Sequence, residues 1–290
     1  MNNTSNLKLG IAFSVCASVA FGIMVTFVHS IAQQTPNNVI VLFRFMISFL
    51  YILVILGLRA YRKQPIDLSL KNYSLQIIRS IAGMLAMLLL YLALAYVPLV
   101  DATLLSTTYP LFLPLIILIV LRKTINIKVW ISLIISFLGV TLILEPGYEI
   151  FNPAALFALI SGLLAAISIF IVRQLSKEND IYSLMFHYFL IALIISSIIS
   201  IFNWQLPTPH ILLILCAIGV FGTIYQEFTI RALACSPATI VSSLMYLNVV
   251  FSGLFGWLFW HETPNLLDII GIILVCCGAM LTIIFFKFEY

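Results

Sequence analysis

Along this chain, apolar runs of about 20 residues alternate with short polar breaks, and the alternation occurs ten times. The runs cover roughly 9–31, 39–58, 74–96, 100–121, 127–144, 153–173, 181–202, 210–232, 238–260 and 265–287. About 20 consecutive apolar residues span the hydrocarbon core of a bilayer as a helix. Backbone polar groups in hydrocarbon must be satisfied internally, so helices rather than loops or open strands are predicted for every run. The breaks carry the residues that stop helices: Gln33–Asn38, Pro98, Glu145-Pro146-Gly147, Pro207–His210, Pro237 and Pro264. The expected fold is an all-α membrane protein of ten transmembrane helices, with no soluble domain. The first run has a small-x-small pattern at Ser30 and Ala32, but it is too long and too weakly basic at its start to read as a cleaved signal.

A second pattern lies over the first. Tyr96–Phe112 and Cys235–Phe251 align at an offset of 139, which puts Pro98 on Pro237, Thr103 on Ser242, Thr107 on Tyr246 and Gly139 on Gly278. The segment VLFRF at 41–45 aligns with LMFHY at 184–188 at an offset of 143, so His187 takes the place of Arg44. Each copy holds five crossings, an odd number, so the second copy must enter the bilayer from the opposite side. The prediction is two inverted five-helix repeats, 9–145 and 153–287, the architecture of alternating-access transporters.

Charge sets the orientation. With the N- and C-termini placed in the cytoplasm, Lys8, Arg59, Arg62, Lys63, Lys71, Arg79, Arg122, Lys123, Lys128, Arg173, Lys177, Arg231 and Lys287 fall on or near the cytoplasmic side, 13 of 14 basic residues. The opposite loops hold acids and neutral residues, as the positive-inside rule requires. Hydrophobic residues make up 63% of the chain and charged ones 8%, so lipid is its main solvent. The sequence pI near 8.8 follows from the loop asymmetry and implies no nucleic-acid partner. The five cysteines show no metal-ligand or disulfide spacing, and no cofactor or metal is expected.

The remaining polar groups within the apolar runs are the candidate chemistry. Arg44 lies about 9 Å into the second helix at 1.5 Å per residue. It either snorkels outward and fastens a helix end, or meets an anionic substrate group or a gate. His187 either hydrogen-bonds within the core or titrates in a proton-coupled step. Glu227 lies four residues from both Thr223 and Arg231 on one face of the eighth helix. It forms an ion pair with Arg231, or takes up a proton or meets a cationic group in a cavity; its counterpart in the first copy is Leu88. Thr103 and Thr107 on the fourth helix, with Pro110 and Pro114, match Ser242 and Tyr246 on the ninth, with Val249 and Gly253. Such a stripe either bonds neighbouring helices or lines a cavity. Tyr91 and Tyr225 would add aromatic walls. Asp101 reads as a helix cap, and Asp268 has no evident partner.

Through these residues the chain resembles the drug/metabolite transporter superfamily, specifically proteins with two EamA-type repeats. The resemblance rests on Arg44-Phe45 in helix two, Arg79 opening helix three, Tyr96-Val97-Pro98 leading into helix four, and Glu262 with Gly278 in the second copy. Lys123 stands where the first copy would have its glutamate. The resemblance implies a multi-pass protein of the plasma (bacterial inner) membrane that moves a small polar or amphipathic organic metabolite, such as an amino-acid-like, nucleotide-related or drug-like compound. It implies a cavity lined by helices one, three, four, six, eight and nine, and family members include S-adenosylmethionine uptake transporters. There is no GxxxxGK[ST] loop, so ATP is not the direct driver, which leaves proton coupling, exchange or facilitated diffusion. The rival readings are an intramembrane enzyme and a non-transporting scaffold. His261-Glu262 is not followed by the second histidine of a zinc protease, and the short loops leave no soluble binding surface. The partners expected are a small-molecule substrate and membrane lipid. Oligomeric state is not encoded in any of these patterns.

Overall fold

The computed structural model describes residues 3–31, 34–94, 96, 99–123, 125–145, 152–201, 206–260 and 265–287. Twelve helices follow one another: α1 (Asn3–Ile31), α2 (Asn37–Tyr61), α3 (Tyr73–Leu94), α4 (Leu99–Ser106), α5 (Tyr109–Leu121), α6 (Ile127–Leu144), α7 (Ala155–Leu175), α8 (Ile181–Ser200), α9 (Pro209–Cys235), α10 (Ala238–Leu244), α11 (Leu247–Trp260) and α12 (Leu266–Lys287). Among the described residues they make ten spans long and apolar enough to cross a bilayer, with no strand. Large apolar side chains such as Val54, Ile119, Leu213 and Ile273 point outward from the bundle. In water that surface would drive aggregation; in lipid it is solvated.

Two spans expected as single helices are each broken in two. The fourth divides into α4 and α5 at Thr107–Thr108, and the ninth into α10 and α11 at Met245–Tyr246. The first break has a covalent cause. Pro110 has no N–H to give the Ser106 carbonyl four residues back, and Ser106, Thr107 and Thr108 turn their hydroxyls onto the Thr103, Leu104 and Leu105 carbonyls at 2.9, 2.9 and 2.6 Å. In the second copy Val249 stands in the place of Pro110. There Ser242 and Ser243 back-bond to Thr239 and Ile240, both at 3.0 Å, and the backbone tightens to three-residue hydrogen bonds from Met245 to Ser242 and Tyr246 to Ser243. Different residues interrupt the two spans at matching places in the sequence register.

Packing follows the same register. α1 packs on α9 and α3 on α7, while α2 packs on α8 and α6 on α12. Advancing each span by five exchanges the first two pairs and leaves the last two unchanged. At the α6/α12 seam, a Cβ on Gly139 would stand 2.6 Å from the Gly271 carbonyl, and one on Gly278 would stand 2.6 Å from the Ser132 carbonyl. Ser132 and Gly271 are themselves 139 residues apart, as are Ser136 and Val275, whose hydroxyl and carbonyl meet at 3.4 Å. At the α2/α8 seam Phe45 meets Tyr188, its partner at the 143 offset, edge to face at 5.8 Å.

The helix ends sort by charge. Lys71 N–H donates to Asn179 (2.9 Å), Arg59 meets Asp180 (3.5 Å), Arg173 donates to the Leu233 and Ala234 carbonyls, and Ser236 donates to Leu7 O. One end of the bundle thus gathers the basic loops. Lys177 lies there, its ammonium pushed below the usual lysine range by partial burial, then by Arg173 and Lys123. At the other end Ser200 donates to Asn38 O, and Asn265 donates to Glu145 at 2.7 Å. Asp268, unassigned from sequence, closes a reciprocal cap with Asn265 at the start of α12 (2.8 and 2.9 Å).

Candidate functional site

Among the described residues, two of the buried polar atoms left without partners lie at the second break, and others are on Thr35, Gln76, Arg79 and Thr229. At the break these are the Tyr246 hydroxyl and Asn248 Oδ1, while Thr229 on α9 lies within reach of the Tyr225 hydroxyl. Tyr225 on α9 has Thr229, Asn248, Arg44 and Tyr188 as its polar neighbours, and Tyr109 at the head of α5 has Tyr225 and Tyr246. Tyr109 and Tyr225 lie deep in the bundle yet keep accessible surface. That surface faces an internal cleft, because protein surrounds both rings. Native proteins satisfy nearly all buried polar groups, so orphans close to these rings call for an account, and a ligand or water reaching them in another conformation would supply one.

Arg44 reaches this cleft from α2. Its guanidinium donates to the Met87 sulfur at 3.7 Å and lies 5.4 Å from the Phe45 ring centroid. Gly222 makes the room, since a Cβ there would stand 2.9 Å from Arg44 Nε. The 139-residue counterpart of Gly222 is Gly83, where the fit is looser: its Cβ would stand 3.2 Å from Ser168 Oγ and 3.5 Å from the Tyr188 hydroxyl. This glycine pair is a repeat match that the polar-stripe reading passed over.

Glu227 belongs to a second arrangement, toward the basic end. Its Oε1 accepts from Arg231 Nε (2.9 Å) and Nη2 (2.5 Å), and Tyr51 of α2 donates to Oε2 at 3.2 Å. Arg231 also donates to the Tyr182 hydroxyl of α8 at 3.1 Å. The ion pair expected from spacing is present, and it ties α9 to both α2 and α8. Thr223, one turn earlier, has its hydroxyl 2.7 Å from that of Ser48, which itself donates to the Arg44 carbonyl at 2.8 Å.

The other sequence candidates divide. Tyr225 is at the cleft, and Tyr246 is 1% exposed behind it, near Tyr109. Thr107 is at the first break and Thr103 one turn before it, the Thr107 hydroxyl being turned onto its own helix. Ser242 is fully buried and bonded within α10. His187 is elsewhere: its Nδ1 meets the Ser183 carbonyl at 2.9 Å, and its ring packs edge-on to Tyr73 and Phe186. The Tyr91 and Asp101 side chains lie outside the described residues, as do His261 and Glu262. Arg79, grouped from sequence with the cytoplasmic cations, is instead 1% exposed inside the bundle. Its signal was its position six residues past the start of an apolar helix, much like Arg44. No group of three or more histidines, cysteines or acids able to hold a metal occurs among the described residues.

The sequence pattern of the EamA-like transporter family matches residues 8–145 and again 152–284. This chain belongs to the EamA-like transporter family. It is similar to the pseudopaline exporter CntI of Pseudomonas aeruginosa (strain UCBPP-PA14), with 31% identity over 94% of this chain and 96% of that protein. It is also similar to an S-adenosylmethionine uptake transporter of Rickettsia prowazekii, at 22% identity over 66% of this chain and 65% of the relative. A protein of known crystal structure superposes with a TM-score of 0.80 over 96% of this chain and 97% of its own, at 16% identity. That likeness concerns fold alone. The chain is therefore an integral multi-pass membrane protein and a transporter of a small-molecule substrate, not an enzyme.

Proposed function

We propose that this EamA-family protein is a secondary transporter working by alternating access. Its halves, 9–145 and 153–287, stand inverted, and both termini face the cytoplasm of the plasma (bacterial inner) membrane. The observation that carries this reading is the pair of matched helix breaks, which leave backbone irregular deep in two otherwise apolar spans. Irregular backbone at membrane depth is tolerated where it lines a cavity, and discontinuous helices in corresponding positions of two repeats mark transporter binding sites. The clustering of basic loops at one end supports the orientation.

The substrate in this reading is a polar or amphipathic organic metabolite. It lies against Tyr109, Tyr225 and Tyr246, with Asn248, Thr229 and Arg44 supplying polar contacts. The names of the relatives include both an exporter and an uptake transporter, so direction rests on experiment. Glu227 is the coupling group. While it holds Arg231 and Tyr51, α9 is latched to α2 and α8, and a proton on Glu227 releases the latch.

The test is a thermal-shift screen of the purified protein against metabolites, followed by uptake of each stabilising compound into proteoliposomes with and without a pH gradient. Stabilising compounds should be carried, and saturably; absence of flux for all of them would rule out the transport reading of the cleft. Tyr246→Phe removes an unsatisfied buried hydroxyl, so it should hold or raise the melting temperature while raising KM several-fold. Glu227→Gln should abolish the dependence of flux on the pH gradient, and unchanged dependence would remove Glu227 from coupling.

A further inference from the structure

Arg79 carries a charge that no described carboxylate answers. It lies on α3, which runs antiparallel to α2, and its side chain is 1% exposed. Its Nε and Nη1 have no hydrogen-bond partner, and among the described residues no carboxylate pairs with it. A guanidinium does not give up its proton in a protein, so the charge cannot be discharged. The one group beneath it is Tyr188, whose ring centroid is 4.0 Å from the guanidinium carbon. A cation over a ring recovers only part of what burial removes.

The other partly buried arginines are answered. Arg173 donates to two carbonyls ending α9, Arg231 holds Glu227, and Arg59 meets Asp180. Arg44 shares the condition of Arg79, with a sulfur and a ring as its contacts. The two are linked through one aromatic pair. Arg44 is 5.4 Å from the Phe45 ring, Phe45 is 5.8 Å from Tyr188, and Tyr188 is 4.0 Å from Arg79. The Glu227–Arg231 pair is neutral, and no described carboxylate pairs with Arg44 or Arg79.

We propose that Arg79 is a substrate-binding residue and that the substrate is a carboxylate-bearing metabolite whose anionic group Arg79 receives. This rests on the transport reading above. The free edge of the Arg79 fork, Nε and Nη1, has the donors that a carboxylate can accept. The side chain is enclosed in the present conformation, so its site belongs to the conformation in which Tyr188 moves off it. Two cationic stations let an anion cross the low-dielectric interior without standing unpaired, and the anion in turn neutralises each station as it arrives.

The experiment uses purified full-length protein and a thermal-shift library in which each carboxylate is paired with its amide, for example L-glutamate with L-glutamine, L-aspartate with L-asparagine and glutarate with glutaramide. Wild type should be stabilised by acids and not by their amides. In Arg79→Gln the concentration needed for half-maximal stabilisation by an acid should rise roughly 10- to 100-fold, as for a lost charge-assisted hydrogen bond. Arg79→Lys, which keeps the charge and loses the fork, should fall between. If Arg79→Gln does not fold, the acid–amide contrast in wild type and the Arg79→Lys series decide. Wild type stabilised equally by acid and amide, or by no acid, overturns the proposal, as does unaltered acid affinity in either variant. Proteoliposomes separate the two readings. Acid binding without flux sinks transport and leaves the Arg79 site, whereas flux that is equal in Arg79→Gln and wild type sinks the site and leaves transport.

Discussion

The two seams that the repeat maps onto themselves, α6/α12 and α2/α8, have diverged to different degrees. At α6/α12 the halves still match: Gly139 and Gly278 admit each other's neighbouring backbone, Ser136 meets Val275, and the polar groups are satisfied, with Thr282 donating to Ser132 at 2.9 Å. At α2/α8 the aromatic pair Phe45–Tyr188 is kept, but beside it one half carries Arg44 and the other His187. A seam that only holds two halves together is constrained equally from both sides. A seam that touches a substrate need not be, because the substrate has no two-fold symmetry. On the transport reading proposed above, α6/α12 is scaffold and α2/α8 is the seam that meets the substrate.

The largest effect that would sharpen this is on stability at the scaffold seam. Gly139→Ala and Gly278→Ala each place a Cβ 2.6 Å from a backbone carbonyl, and backbone cannot swing away as a side-chain end can. Each should destabilise by about 1–3 kcal/mol, the usual cost of overpacking, read as a lower melting temperature in detergent. The two should be alike. Gly57→Ala is the control: it meets nothing within 4 Å and gains roughly 0.5–1 kcal/mol of helix propensity. A large difference between Gly139→Ala and Gly278→Ala would break the claim that this seam is symmetric.

The functional seam should respond in flux rather than stability. In Gly222→Ala the new methyl meets Arg44 Nε at 2.9 Å. A long side chain can move aside, so the melting temperature should change little while flux of the transported metabolite falls several-fold as Arg44 is displaced. Gly83→Ala, at the matching position, meets Ser168 Oγ at 3.2 Å and Tyr188 at 3.5 Å, contacts that need only a slight adjustment, so flux should be nearly unchanged. Equal loss in both would mean that the two glycines serve packing alone.

How much of this was legible in the sequence follows from what each feature depends on. The ten spans were legible because length and hydropathy alone decide what crosses a bilayer. The register of Gly139 with Gly278 was legible because a glycine in a tight seam has no substitute. Both spans were read as unbroken; Pro110 is a residue that marks the break at Thr107–Thr108, whereas its twin at Met245–Tyr246 has no single marker residue, only hydroxyl back-bonding and tight turns. Glu227–Arg231 was legible because the partners are four residues apart on one helix. Tyr51, Tyr182 and the Tyr188 face under Arg79 were not, because each comes from another helix. The burial of Arg79 was not legible either: its place near a helix start does not say which way the side chain faces.

The smallest effect is predicted for His187, and it tests the comparison most directly because His187 occupies the position of Arg44. Its Nδ1 is held by the Ser183 carbonyl one turn back at 2.9 Å, and its ring is set between Tyr73 and Phe186, with centroids 5.4 and 5.3 Å away. His187→Phe keeps both ring contacts and gives up one hydrogen bond, which costs about 0.5–1.5 kcal/mol. Flux should stay within about twofold of wild type and keep its response to a pH gradient, whereas Arg44→Ala should abolish most of it and Arg44→Lys retain some. If His187→Phe instead loses the pH response, the proton passes through the second copy's equivalent of Arg44 rather than through Glu227. The α2/α8 seam would then be functional from both sides, with a fixed charge at one position and a titrating one at its repeat equivalent.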